Sequence, residues 1–132
     1  MSSTEAKAPQ ETVLVVEDEI LVRFVIAEYL RDCGYRVIEA TSADEAIVLL
    51  KTPKVRIDVL FTDIDMPGSM NGFALARWTR ANRPEIKIEL TGSVPQSADV
   101  AGDLCENGPL LTKPYEPQAV VDRIRRLLAA RR

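Results

Sequence analysis

The sequence contains no histidine and only two cysteines among its 132 residues. Without histidine, no imidazole is present to bind a metal ion or to act as a general base. Cys33 and Cys105 form neither a CxxC pair nor a zinc-binding spacing, so both are predicted to be small packed hydrophobic residues. These absences exclude many classes of enzyme and favour the reducing cytoplasm as the location of the protein.

Long apolar runs and a strong net charge are also missing. No run approaches the roughly 18 to 20 apolar residues that a membrane-spanning helix requires, and the N-terminus lacks the basic and then apolar order of a secretion signal. The formal net charge of −3 is too small to attract nucleic acid in bulk. We therefore expect neither a membrane nor a nucleic-acid partner. The length and the hydrophobic fraction of 46% suit one compact domain with a single core.

Apolar runs alternate with helical patterns from about residue 12 onward, after a polar segment over residues 1–11 that is predicted to be a disordered leader. The runs predict five strands, over residues 13–16, 35–40, 57–62, 86–90 and 110–112. Strands that alternate with helices predict an α/β fold with a doubly wound parallel sheet, in a single domain over residues 12–132.

Helical patterns lie between and after these strands. The second helix begins at a capping box formed by Ser42 and Glu45, the third covers about residues 72–82, and the last follows Pro117. The first helix ends at Gly34. Its predicted buried face consists of Val22, Val25, Ile26, Tyr29 and Cys33.

Polar side chains follow the predicted strands at the points where the chain must turn. Glu17 and Asp18 follow the first strand, Asp63 the third, Thr91 the fourth and Lys113 the fifth. The carboxyl ends of parallel strands meet at one edge, where ligands of such sheets bind, so we expect these side chains to lie together. Grouped carboxylates raise one another's pKa unless a cation lies among them. A hard, oxygen-binding cation, most simply Mg²⁺, is therefore predicted.

Each of these residues also has a simpler structural explanation when it is taken alone. An acidic pair at a strand end can favour the N-terminus of a helix, and Asp63 ahead of Met66 and Pro67 can belong to a turn. Lys113 can be a solvated lysine, and Thr91 an ordinary hydroxyl at a strand end. Their combination in this order favours a metal site for phosphoryl transfer over these explanations.

Four motifs occur in order along the chain. They are Val15-Val16-Glu17-Asp18-Glu19, Thr62-Asp63-Ile64-Asp65-Met66-Pro67-Gly68, Leu90-Thr91-Gly92-Ser93 and Thr112-Lys113-Pro114-Tyr115. In this combination they resemble the receiver domain of two-component response regulators, over about residues 12–130. The resemblance implies a flavodoxin-like sheet with the strand order 2-1-3-4-5. It also implies that Asp63 accepts a phosphoryl group from a phosphohistidine on a sensor histidine kinase or a histidine phosphotransfer protein.

The resemblance assigns further roles to the strand-end residues. Lys113 supplies a charge for a phosphoryl oxygen, and the Thr91 hydroxyl donates a hydrogen bond to another oxygen. The Lys113–Pro114 peptide bond is implied to be cis. Mg²⁺ is the implied cofactor. Its implied ligands are Asp18, Asp63, the backbone carbonyl of Asp65 and, through water, Glu17.

Three functions are compatible with such a site. Because no further domain follows Arg132 in this sequence, we expect a stand-alone signalling receiver. Its face formed by the fourth helix, the fifth strand and the last helix would bind an unidentified protein target on phosphorylation. The alternative is a phosphorelay intermediate or phosphate sink without a stable partner complex. An enzyme of the haloacid-dehalogenase type fits less well, because its nucleophile belongs to an early strand and no cap domain fits this length. We expect no turnover of a separate substrate, and a homodimer stays open.

The switch positions depart from the common receiver pattern. The aromatic residue that often couples phosphorylation to the output surface is replaced by Leu110 in strand five. An alternative aromatic position, after the Thr-Gly of strand four, holds Ser93. The resemblance therefore does not predict how a change at Thr91 reaches the rest of the domain.

Strand four also departs from the pattern, because it carries Lys87 and Glu89 although an interior parallel strand should be apolar on both faces. The covering segment, residues 94–107, has few large apolar side chains and includes Gly102, so a helix there would be weakly held. We predict that the charged face is wet or covered by another subunit, and that residues 94–107 are the least ordered part of the domain. The arginines at 123, 125, 126, 131 and 132 are predicted to form a solvated helix face, with the docking of an acidic partner as the alternative.

Overall fold

The computed structural model describes residues 11–92 and 111–130. Along the chain, the elements are β1 (Thr12–Val16), α1 (Ile20–Asp32), β2 (Arg36–Ala40), α2 (Ala43–Leu50), β3 (Val59–Asp63), α3 (Gly72–Asn82), β4 (Lys87–Gly92), β5 (Leu111–Thr112) and α4 (Pro117–Ala130). Neighbouring strands pair in parallel, in the order β2-β1-β3-β4-β5. The predicted doubly wound, flavodoxin-like α/β sheet is confirmed.

Helices cover the sheet on both faces, which explains the uninterrupted apolar runs of its central strands. Successive residues of β1 point to opposite faces, so Val13 and Val15 belong to one core cluster, and Leu14 and Val16 to the other. Helices α1 and α4 pack on the first face, and α2 and α3 pack on the second. Because both faces are filled with apolar side chains, polar groups that act on a ligand are placed at the strand ends.

Helix ends follow the capping residues in the sequence. The Ser42 hydroxyl accepts a hydrogen bond from the Glu45 N–H (3.1 Å) at the start of α2. At the start of α3, Asn71 Oδ1 accepts from the Ala74 N–H (3.0 Å). Gly34 adopts a φ of 98° after α1, a conformation that L side chains rarely take. The predicted bounds of α3 are confirmed.

The predicted buried face of α1 is partly wrong. Ile26 is buried as predicted, but the other fully buried residues of this helix are Ala27 and Leu30, and Val25 is 49% exposed. The first turns of α1 carry apolar residues on nearly all sides. The 3.6-residue period therefore could not distinguish the side that packs from the side that faces solvent.

The prediction that the charged face of strand four is wet or covered by another subunit is wrong for Glu89. Its side chain is 0% exposed, and Arg123 Nη1 of α4 lies 2.7 Å from Glu89 Oε2. Arg123, predicted to belong to a solvated helix face, is only 15% exposed. The two residues lie 34 positions apart and meet only when α4 packs on the sheet. A pattern of neighbouring residues could not reveal this pairing.

Several predictions concern residues outside the described ranges. They are residues 1–10 of the leader predicted over residues 1–11, the weak helix over residues 94–107, the packing of Cys105, and the switch positions Ser93 and Leu110. Cys33 packs against the core as predicted. Within residues 11–92 and 111–130, no helix combines the length and the apolar character needed to cross a bilayer.

Candidate functional site

Strand register brings the predicted site residues to one edge of the sheet. Asp63, the last residue of β3, lies opposite Thr91 of β4. β1 pairs with β3 as far as Val16 and Thr62, so the next residue of the chain, Glu17, lies beside Asp63. The Glu17 N–H continues the pairing toward β2 through a backbone hydrogen bond of 3.1 Å. Alternation along each strand places Glu17, Asp63 and Thr91 on the same side of the sheet.

Three carboxylates meet at this edge. Oxygen atoms of Glu17, Asp18 and Asp63 lie within 4.8 Å of one another. Glu17 and Asp63 are buried, whereas Asp18 is partly exposed to solvent. The structure therefore brings together the side chains of three residues predicted to hold a metal ion, at distances from which one hard cation could contact them all.

Lys113 places a positive charge against this cluster. Its Nζ atom lies 2.9 Å from Glu17 Oε1 and 3.3 Å from Asp63 Oδ2. Burial alone would lower the pKa of Lys113, but the hydrogen bond to Glu17 and the charge of Asp63 raise it above its ordinary value. Lys113 is thus a cation at neutral pH. The Lys113–Pro114 peptide bond is cis, as predicted.

The carboxylates bind protons more tightly than isolated carboxylates do. Burial and the neighbouring charge of Glu17 raise the pKa of Asp63 to about 6, against the opposing effect of Lys113. Burial also raises the pKa of Glu17. The Lys113 ammonium therefore does not fully compensate the acidic groups around it. Grouped hard oxygen donors with residual negative charge fit a divalent cation such as Mg²⁺.

We expect Asp63→Asn to stabilise the metal-free protein in a pH-dependent manner. The pKa of Asp63 is raised from 3.8 to about 6, so the folded state binds this proton more tightly than the unfolded state. The free energy of unfolding therefore falls as the pH rises between these two pKa values. It stays at the lower level when the pH is higher still. Removing the charge should raise the free energy of unfolding by on the order of 2 kcal/mol at about pH 8, and by little at about pH 4.

Urea unfolding with a chelator at both pH values measures this difference. Asp65→Asn is the matched control, because Asp65 lies two residues away with an exposed side chain. A stabilisation by Asp63→Asn of the same size at both pH values would contradict the raised pKa of Asp63.

Thr91 and Asp65 differ in how far the structure supports their predicted roles. Thr91 is buried, and its Oγ1 atom has no hydrogen-bond partner in the described part of the chain, so the hydroxyl retains capacity for an incoming ligand. The Asp65 side chain is exposed, and its N–H donates to Asp63 Oδ1 at 3.2 Å. That hydrogen bond orients the Asp63 carboxylate. The role of the Asp65 carbonyl as a metal ligand stays a prediction.

Gly72, which sequence reasoning missed as a site residue, allows α3 to begin directly against the backbone of Asp63. A Cβ atom at this position would overlap the Asp63 carbonyl oxygen and lie 2.6 Å from Ile64 Cα. The Gly72 N–H also donates to the Ile64 carbonyl at 3.1 Å. The absence of a side chain therefore lets α3 hold the end of β3 in place. A glycine at a helix start is too common a signal to have identified this contact.

Arg23 is a second residue that sequence reasoning missed. Its Nη1 atom donates to the Glu17 carbonyl at 2.9 Å, and its Nε atom donates to Glu39 Oε1 at 3.1 Å. These contacts tie the turn after β1 to both α1 and β2. Arg23 therefore positions the acidic pair without pointing into the cluster, and its spacing in the sequence carries no recognisable signal.

Comparison with known proteins identifies the family to which a chain with this site belongs. A family model described as the response regulator receiver domain matches residues 13–125. The chain is 32% identical over 116 residues to the transcriptional regulatory protein ResD of Bacillus subtilis, covering 88% of this chain and 47% of ResD. The chain spans about half the length of the transcriptional regulators that it matches.

Solved structures share the fold. A response regulator receiver protein from Sinorhizobium medicae superposes with a TM-score of 0.82 at 26% identity, over 93% of this chain and 98% of that protein. The response regulator protein TrrA from Thermotoga maritima, solved in complex with Mg²⁺–BeF, superposes with a TM-score of 0.76 at 24% identity. This second alignment covers 89% of this chain and 98% of TrrA.

Proposed function

Because the chain belongs to the response regulator receiver domain family, we propose that it transfers a phosphoryl group from a phosphohistidine to Asp63 in two-component signal transduction. The donor is a sensor histidine kinase or a histidine phosphotransfer protein. The observation that carries this proposal is the buried Asp63 carboxylate, which shares one strand-end cluster with Glu17, Asp18 and Lys113.

Transfer requires the ionised form of Asp63. One carboxylate oxygen attacks phosphorus while the bond from phosphorus to the histidine nitrogen breaks, and the electron pair of that bond stays on the imidazole. With a pKa of about 6, Asp63 is mostly ionised at neutral pH. The Lys113 ammonium, 3.3 Å from Asp63 Oδ2, offsets the negative charge that accumulates as the phosphoryl group approaches. The Thr91 hydroxyl donates to a phosphoryl oxygen.

Glu17, Asp18 and Asp63 are the side chains proposed to hold Mg²⁺, with the Asp65 carbonyl as a further ligand. The raised pKa values of Asp63 and Glu17 support this proposal, because carboxylates that bind a proton tightly for lack of positive charge also gain from a divalent cation. When bound, the ion neutralises carboxylate and phosphoryl charge during transfer.

Helix α1 offers a surface for the phosphodonor. Its outer side carries the exposed apolar side chains of Ile20, Leu21, Phe24 and Val25. A groove between α1 and the segment after β5 is lined by apolar residues and flanked by Glu19 and Lys113. A donor must cover the rim of the site to bring its phosphohistidine to Asp63, and exposed apolar patches mark protein contacts. We therefore place the donor against α1.

Signalling is proposed to occur through protein contacts that change on phosphorylation, without turnover of a separate substrate. An unidentified protein is the proposed downstream target, and neither nucleic acid nor a membrane is proposed as a direct partner. The alternative is a phosphorelay intermediate or phosphate sink, which passes the phosphoryl group onward. Binding of a target that depends on phosphorylation would distinguish signalling from this alternative. The cytoplasmic location and a homodimer stay hypotheses from the sequence.

Incubation with acetyl phosphate and Mg²⁺ tests the proposed function. We expect one acyl phosphate per chain, detected by mass spectrometry and located on Asp63 by peptide mapping. Chelation of Mg²⁺ should strongly reduce the rate of labelling, because the cluster then lacks the charge that offsets the incoming anion. Labelling that is absent under both conditions would contradict the proposal.

Lys113→Ala should impair the conformational response to phosphorylation more than it impairs phosphorylation itself. The variant keeps the nucleophile and the metal ligands but loses a point charge, so the labelling rate should fall by about tenfold, equivalent to roughly 1.4 kcal/mol. The conformational response, followed by amide exchange of residues 111–130 with and without beryllofluoride, should be lost. Lys51→Ala is the control, because Lys51 is exposed at the end of α2. A normal response in Lys113→Ala would show that the charge contact is not part of the switch.

A further inference from the structure

Glu89 is a buried ionisable residue that the phosphoryl chemistry does not use. It lies in the middle of β4, with its side chain fully buried and opposite Phe61 of β3. Its Oε2 atom accepts a hydrogen bond from Arg123 Nη1 at 2.7 Å, whereas Oε1 has no hydrogen-bond partner among the residues that the structure describes. Burial raises the pKa of Glu89 to about 7, against the opposing charge of Arg123. The ionised carboxylate therefore depends on its contact with α4.

A gain in stability is a weak explanation for a buried ion pair such as this one. Well-packed apolar side chains in place of a buried ion pair are often equally or more stable, whereas removal of one partner is costly. The pair favours one relative position of β4 and α4, because its charges are compensated only while both elements keep that position. Arg123 is 15% exposed and can reach solvent, whereas Glu89 cannot.

The pair joins the strand that carries Thr91 to an outer helix. Glu89 precedes Thr91 by two residues, so both side chains project from the same side of β4, about 7 Å apart along the strand. They lie opposite Phe61 and Asp63 of β3, respectively. A shift of Thr91 toward a group on Asp63 therefore acts directly on the strand segment that holds Glu89.

We propose that the Glu89–Arg123 ion pair is a latch that couples occupation of Asp63 to the position of α4. This inference rests on the function proposed above. The latch stabilises the observed arrangement, in which Asp63 pairs with Lys113. When the Thr91 hydroxyl bonds a phosphoryl oxygen on Asp63, β4 shifts, the ion pair weakens, and α4 is released to present a different surface. Such a latch needs no aromatic residue at positions 93 and 110, where the sequence has Ser93 and Leu110.

Coupling between two sites is reciprocal. If occupation of the site weakens the latch, the latch must in turn weaken binding at the site by the same free energy. Removal of the latch must therefore raise the affinity of the site for a phosphoryl mimic. An ion pair with a purely structural role would change the free energy of unfolding and leave that affinity unchanged. Affinity for the mimic therefore separates a latch from a structural contact.

The test compares wild type with Glu89→Met/Arg123→Met, which replaces both charges with unbranched apolar side chains and leaves no buried charge unpaired. Beryllofluoride is titrated in the presence of Mg²⁺ and followed by NMR. We expect the double variant to bind it about fivefold more tightly or better, and the amides of α4 to exchange faster in the free double variant than in the wild type. Arg125→Met removes an exposed charge from the same helix whose partner is Tyr35, and it should bind within about twofold of wild type.

Binding of beryllofluoride by the double variant with unchanged or weaker affinity overturns the latch, even if its thermal stability differs. Should the double variant fail to fold, Glu89→Gln keeps the shape of the side chain without the charge and carries the same expectation. Failure of the proposed function has a different signature: wild type itself would not bind beryllofluoride, or Asp63→Asn would bind it equally well. The latch would then be overturned together with the proposed function.

Discussion

Asp63→Asn should abolish covalent labelling of this protein by acetyl phosphate in the presence of Mg²⁺. The amide that replaces the carboxylate is not a nucleophile toward phosphorus, and the substitution leaves the size of the side chain almost unchanged. The neighbouring carboxylates, Glu17 and Asp18, remain in the cluster but lack the position of Asp63 between Lys113 and the Asp65 N–H. Intact-protein mass spectrometry over the time course of wild-type labelling measures the loss, which we expect to be complete.

Asp65→Asn is the matched control for this experiment. Its exposed side chain lies two residues from Asp63, and the substitution keeps the backbone N–H that orients the Asp63 carboxylate. Labelling of this variant should proceed at nearly the wild-type rate. If Asp63→Asn were still labelled, and peptide mapping placed the phosphoryl group on Glu17 or Asp18, the assignment of the acceptor would be wrong.

Gly72→Ala should cause a larger loss of stability than the same substitution at Gly68 or Gly92. The new Cβ would overlap the backbone carbonyl of Asp63, and backbone atoms cannot rotate away as a flexible side chain can. Overpacking of this severity should lower the free energy of unfolding by about 3 kcal/mol or more. Any relaxation that avoids the overlap moves α3 away from the end of β3, so Mg²⁺ affinity should fall as well.

Gly68→Ala separates this steric effect from the general effect of adding a methyl group to glycine. Gly68 has a φ of +110° and no atom within 4 Å of an added Cβ, so only backbone strain opposes the substitution. We expect a loss of about 1 kcal/mol there. Urea unfolding of both variants provides the comparison. Losses of equal size would show that the contact between α3 and Asp63 is looser than the structure indicates.

The order and type of the elements within residues 11–92 and 111–130 could be predicted because they depend on residues close together in the chain. The bounds of α3 follow from a cap at Asn71 and a proline at position 84. Burial on α1 could not be predicted in the same way. Apolar side chains cover nearly all sides of its first turns, and the choice of the packed side is made by the sheet.

Much of the candidate site could also be predicted, because parallel strands deliver their last residues to one edge whatever the details of packing. The correct number and direction of the strands were enough to predict that four residues lie together, namely Glu17, Asp63, Thr91 and Lys113. The contacts of Gly72 and Arg23 required actual distances between backbone segments. No pattern of residue types encodes such distances directly.

The sequence by itself determined the alternation of strands and helices, the parallel sheet and the strand-end position of the acidic residues. These properties follow from hydrophobic periodicity and chain direction, which act over a few residues at a time. Only the tertiary structure decided that Glu89 is buried against Arg123 and that the Asp63 backbone leaves no room for a side chain at position 72. Burial and charge compensation are set by the distances between elements remote in the chain, which exist only once the helices pack on the sheet.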